Sequence, residues 1–183
     1  MAARALPAPL AAIPNVLTIG RLLLIPVYVA LILASDGGHS WAAALVFGVA
    51  AITDQVDGWL ARRWRVESEF GKVADPLADR LMIDAAVILL WHAGRLPWVA
   101  LAIPARDLAL IAGYKLVMGR GYELAVNLAG KAATWLLYAS LAFIMVTRQG
   151  TDWPRWLFWA GFGLAAVSLV GYLAKARREV VEP

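Results

Sequence analysis

The chain has no cysteine in its 183 residues. Disulfide frameworks, thiol catalysis and thiolate metal sites are therefore excluded, and nothing in the composition fixes a redox compartment. Charge is also scarce. Only 16% of the residues are charged against 62% hydrophobic, well away from the balance of a soluble domain of this length. The net charge of +4 is what positive residues at membrane-facing helix ends produce, so nucleic acid is not an expected partner. No long linker, low-complexity tract or internal repeat interrupts the sequence. A single domain, 1–183, is expected, and an inverted-repeat transporter gains no support. The opening MAARALPAPLAAIPN is not read as a signal peptide, because the apolar run after it has full span length and ends without a cleavage site.

Apolar runs are plentiful. They predict six membrane spans, roughly 15–34, 41–61, 72–92, 97–118, 127–147 and 154–174. The expected fold class is all-α, a polytopic membrane protein with six transmembrane helices. Lysine and arginine set the orientation. Arg62, Arg63, Arg65 and Lys72 cluster around the second connection, Lys115, Arg120 and Lys131 around the fourth, and Lys175, Arg177 and Arg178 in the tail. The opposite connections hold Arg95, Arg148 and Arg155. Both termini are expected to be cytoplasmic. Trp41, Trp91, Trp98, Trp153, Trp156 and Trp159 fall at the expected outer ends, as an interfacial belt would place them, and His39 and His92 are read as interface residues on that side.

Against this background four carboxylates stand out. Asp54 and Asp57 are three residues apart near the inner end of the second span, and Asp75 and Asp79 are four apart near the inner start of the third. Both spacings put each pair on one helix face. A short connection makes the two helices antiparallel neighbours, so all four carboxylates can converge. Such a cluster repels itself and is costly to bury unless it is paired or coordinates a cation. A hard divalent ion, Mg²⁺ or Mn²⁺, suits carboxylate oxygens and leaves room for substrate phosphate, and this many ligands can hold two ions. The competing reading, a salt-bridge cluster with Arg62, Arg63 and Arg80, explains one aspartate better than four.

The stretch reads as one pattern: Asp54-x-x-Asp57-Gly58-x-x-Ala61-Arg62, eight residues, Gly71-x-x-x-Asp75-x-x-x-Asp79. It resembles the signature of the CDP-alcohol phosphotransferase family, with every signature position filled. IPNVLTIGRLLLIP, from Ile13 to Pro26, is similar to the first span of the phospholipid-synthesising members. The resemblance implies a six-helix integral membrane enzyme of the bacterial inner membrane, working at the cytoplasmic face of the lipid bilayer, with room for a homodimer. It implies that Asp54, Asp57, Asp75 and Asp79 surround the metal and that Asp79 is the general base. Gly58, Ala61, Arg62 and Gly71 would shape the site for the CDP-lipid donor, CDP-diacylglycerol.

The acceptor depends on other residues. Arg106 and Asp107 are ionisable groups within the fourth span, where such groups are functional candidates. Their mutual pairing is the weaker reading, since adjacent helical residues do not face each other. Arg21, Arg106 and Lys131 together are candidates for binding an acceptor phosphate. ARDLALIAG and GKAATWLLY resemble cardiolipin synthases of the CDP-diacylglycerol type, so phosphatidylglycerol is the expected acceptor, giving cardiolipin and CMP. The alternative is a phosphatidylglycerophosphate synthase using glycerol 3-phosphate, and a more distant one is an ion-coupled transporter with an acidic metal site. In one respect the chain departs from the family pattern. Many members carry a glutamine at the position of Leu137, which weakens any polar role for that part of the fifth span. Asp84, deeper in the third span, is a candidate partner of Arg106 or Lys131.

Overall fold

A computed structural model describes residues 13–64, 69–117 and 128–181 of the chain. Among the described residues there are six α-helices and no β-strand. They are α1 (Ile13–Leu33), α2 (Trp41–Trp64), α3 (Glu69–His92), α4 (Ala102–Val117), α5 (Leu128–Val146) and α6 (Trp153–Val181). A 3₁₀ turn, Trp98–Leu101, leads into α4. Each helix coincides with one expected span. The largest difference is at α6, which continues through the polar tail to Val181. Alanine, lysine and arginine are strong helix formers, so the helix need not stop where the apolar run does.

The core is built on α1, α2, α3 and α5. Tyr28, Phe47, Met82, Leu90, Leu141 and Met145 are fully buried. Helix α1 packs against both α2 and α3, whereas α2 and α3 touch each other only sparingly. The expected pairing of the two aspartate helices is therefore made largely through α1. Helix α6 lies chiefly on α5. Gly161 permits that approach, since a Cβ there would come within 3.2 Å of the Leu137 backbone nitrogen.

Among the described residues many large apolar side chains face outward. Leu23, Leu45, Leu108, Val167 and Val170 are 64–70% exposed, while Arg21 and Asp107 are buried. That is the reverse of a soluble bundle, where such leucines form the core and charges face water. By length and composition one described helix, α1, is apolar enough to cross a bilayer, over Val16–Leu33, with shorter apolar stretches at Trp41–Val56 and Gly130–Val146. Helix α4 has 16 residues, and Arg106 and Asp107 fall within it, as Asp79, Arg80 and Asp84 do within α3.

The ends are tightly made. Ser40 caps α2, its hydroxyl accepting from the Ala43 N–H at 3.1 Å. In the α1–α2 turn Gly38 has φ +74°, and a Cβ there would lie 2.9 Å from the Ala93 Cβ. Arg95 is buried and donates to the carbonyls of Ile144 and, at 2.5 Å, of Thr147. It thus closes the carbonyl end of α5. Burial first, and the charge of Arg155 second, lower its pKa from the ordinary arginine value. The sequence assigned Arg95 only to a topological charge count, but it is also a helix cap. His39 joins it there, with Nδ1 3.2 Å from the same Thr147 carbonyl.

Candidate active site

Two of the four signature aspartates have described side chains. Asp54, on α2, meets Arg21 of α1, with Arg21 Nη1 2.5 Å from Asp54 Oδ1. The Arg21 side chain is fully buried, and burying an unpaired guanidinium costs several kcal/mol. The carboxylate is what lets it sit inside the bundle. Gln55 adds a hydrogen bond to Asp54 Oδ2 at 3.1 Å. Asp79, on α3, accepts a hydrogen bond from the Tyr138 hydroxyl of α5. Arg21 and Arg80 both lie within charge-interaction range of Asp79, and Asp54 within range of Tyr138. Helices α1, α2, α3 and α5 thus bring Arg21, Asp54, Asp79 and Tyr138 into one locality.

A second group adjoins it. Asp107 of α4 is buried, and its Oδ1 is 2.7 Å from Arg106 Nη2, 2.8 Å from Arg106 Nε and 3.3 Å from Arg80 Nη1. This corrects the expectation that Arg106 and Asp107 do not pair. Their Cβ atoms diverge around the helix, but the arginine stem is long enough to fold back to a short neighbour. Two arginines from two helices share one carboxylate. Asp84 lies within charge range of Arg80, Arg106, Asp107 and Asp79. Its buried Oδ1 has no hydrogen-bond partner among the described residues, so the expected pairing with Arg106 or Lys131 is not formed through that atom.

The side chains of Asp57, Gly58, Ala61, Arg62, Gly71 and Asp75 lie outside the described residues. Their backbones continue α2 and α3, with Asp57 one turn beyond Asp54 and Asp75 one turn before Asp79. Among the described residues no three acidic or histidine side chains form a metal-binding group. The described carboxylates, on helices that also carry the other two aspartates, are hard oxygen donors of the kind Mg²⁺ or Mn²⁺ takes. Lys131 stands exposed near the start of α5. Of the three cations expected at the acceptor phosphate, Arg21 pairs with Asp54 and Arg106 with Asp107. Tyr138 was missed in the sequence. The available signal was a phenol inside the apolar run LLYASLAF, because a buried tyrosine hydroxyl usually finds a partner.

Fold and site together define a class: among the described residues, a bundle of α-helices with large apolar side chains facing outward and carboxylates and arginines gathered from α1 to α5. The chain belongs to the CDP-alcohol phosphatidyltransferase family, whose sequence profile matches residues 11–167. It is 35% identical over 167 residues to a CDP-diacylglycerol–glycerol-3-phosphate 3-phosphatidyltransferase of Bacillus subtilis, covering 79% of this chain and 86% of that one. Proteins with the same name from Shigella flexneri serotype 5b and Escherichia coli K12 are each 33% identical over 179 residues, covering 93% of this chain and 97% of theirs. These relatives are named for glycerol 3-phosphate. They favour the alternative acceptor of the sequence analysis over phosphatidylglycerol.

Proposed function

We propose that this chain is a phosphatidylglycerophosphate synthase, transferring the phosphatidyl group of CDP-diacylglycerol to glycerol 3-phosphate with release of CMP. The observation that carries the reading is the near full-length similarity to enzymes named for that acceptor. The paired charge groups around Asp79 and Asp107 support it. In the reaction a glycerol 3-phosphate hydroxyl oxygen bonds to the lipid-side phosphorus of the donor. Its proton passes to the Asp79 carboxylate. The bond from that phosphorus to the CMP oxygen breaks, and CMP leaves with the electron pair. Arg106 keeps a quarter of its side chain exposed and so can turn to the acceptor phosphate, with Arg80 beside it and Lys131 at the approach. Arg21 orients Asp54. Asp54, Asp57, Asp75 and Asp79 would hold Mg²⁺ or Mn²⁺, which when bound neutralises the donor pyrophosphate and the charge developing on CMP.

The apolar exterior supports an integral membrane protein, and the clustering of lysine and arginine supports a site on the cytoplasmic face. The test is CMP release by purified protein in detergent with CDP-diacylglycerol and Mg²⁺ or Mn²⁺. Release with glycerol 3-phosphate is expected. Release with phosphatidylglycerol alone would return the acceptor to the one suggested by ARDLALIAG, and no release with either would defeat both. Asp79→Asn is expected to keep helical content by circular dichroism and to abolish turnover.

A further inference from the structure

We infer that Tyr138 is a positioning residue for Asp79, fixing the carboxylate in the orientation from which it receives the acceptor proton. The inference rests on the reading of Asp79 as the base. Tyr138 lies in α5 beside Leu137, at a stretch where no polar role is expected from the sequence. Leu137 is buried in the apolar core, and the next side chain supplies the polar contact instead. The Tyr138 hydroxyl donates to Asp79 Oδ1, and its oxygen also lies 3.4 Å from the Asp79 backbone carbonyl. Donation to a carboxylate is among the stronger hydrogen bonds a phenol makes. It engages one carboxylate oxygen and leaves the proton-accepting task to the other.

The ring is held as firmly as the hydroxyl. Tyr138 is only 5% exposed. Its ring centroid is 5.1 Å from that of Phe47 on α2, which is 5.5 Å from that of Tyr28 on α1. Three aromatic rings from three helices thus fix the direction of a hydroxyl aimed at a fourth. Packing alone would be served by phenylalanine, as Phe47 shows in the same file. The oxygen is the added feature, and it reaches Asp79. Proton transfer needs the base within about 3 Å of the acceptor hydroxyl, and a misplacement of about 1 Å can cost on the order of a hundred-fold in rate.

The test is Tyr138→Phe, which removes the hydroxyl and keeps the ring. The kcat for CMP release is expected to fall roughly ten-fold or more, while KM for donor and acceptor stays near wild type; the thermal midpoint in detergent also falls, because a buried carboxylate loses its donor, so kcat is read at a temperature where both proteins are folded. Leu90→Ala, at a fully buried position about three turns along α3 from Asp79, is the packing control. It is expected to lower the thermal midpoint with much less effect on kcat. Wild-type kcat in Tyr138→Phe, or an equal kcat loss in Leu90→Ala, would overturn the positioning role. Asp79→Asn separates the two readings. Substantial turnover there removes the base assignment itself, whereas an inactive Asp79→Asn beside a fully active Tyr138→Phe removes only the positioning.

Discussion

Arg21 and Arg106 are both arginines inside apolar helices, yet their surroundings ask different things of them. Arg21 has a fully buried side chain and a carboxylate at 2.5 Å. Removing one member of such a pair leaves the other charged and poorly solvated, at a cost of roughly 3–5 kcal/mol. Asp54 keeps 18% of its side chain exposed, so Arg21→Met is expected near the lower end. That corresponds to a fall of roughly 6–12 °C in the thermal midpoint, read by a melt in detergent. Arg106 keeps 25% of its side chain exposed and can turn toward a ligand. Arg106→Ala is expected to raise KM for glycerol 3-phosphate roughly ten-fold or more, the loss of about one hydrogen bond to a charged group, with a smaller effect on the donor. A larger rise for CDP-diacylglycerol would move Arg106 to the donor site.

Among the helices, the apolar runs located each element, the polar end of α6 excepted, to within a few residues, because a run long enough for a bilayer is also long enough for a stable helix. The Asp54–Asp57 and Asp75–Asp79 spacings marked α2 and α3 as the functional helices for the same kind of reason, since helical periodicity is local. What the sequence could not supply was contact across distance. Tyr138 meets Asp79 from 59 residues away, and Arg95 closes α5 at Ile144 from 49 residues away. No local pattern encodes either. The turn before α2 shows how such contacts constrain a connection. Gly38 combines φ +74° with the closeness of Ala93. Gly38→Ala should therefore cost about 2 kcal/mol, most of it from the left-handed backbone, and lower the thermal midpoint. Its kcat should be unchanged, because Trp41, where α2 begins, is about 20 Å along the helix from Asp54.

For the whole molecule, the absence of cysteine makes orientation directly measurable. A single thiol at Gln149, in the α5–α6 connection, should react with a membrane-impermeant maleimide on intact cells. One at Glu182, in the tail, should react only after permeabilisation. The opposite pattern would place the aspartates on the outer face and invert the proposed topology. The packing of α6 bears on the order of events during synthesis. The described charge cluster draws on α1 to α5, whereas α6 rests chiefly on α5. As the chain emerges from the ribosome, every helix that contributes to the cluster is made before α6. Until α6 arrives, α5 must hold Tyr138 against Asp79 without the cover that α6 gives it. Helix α6 is thus a clamp applied to an assembly whose described charged parts are already present.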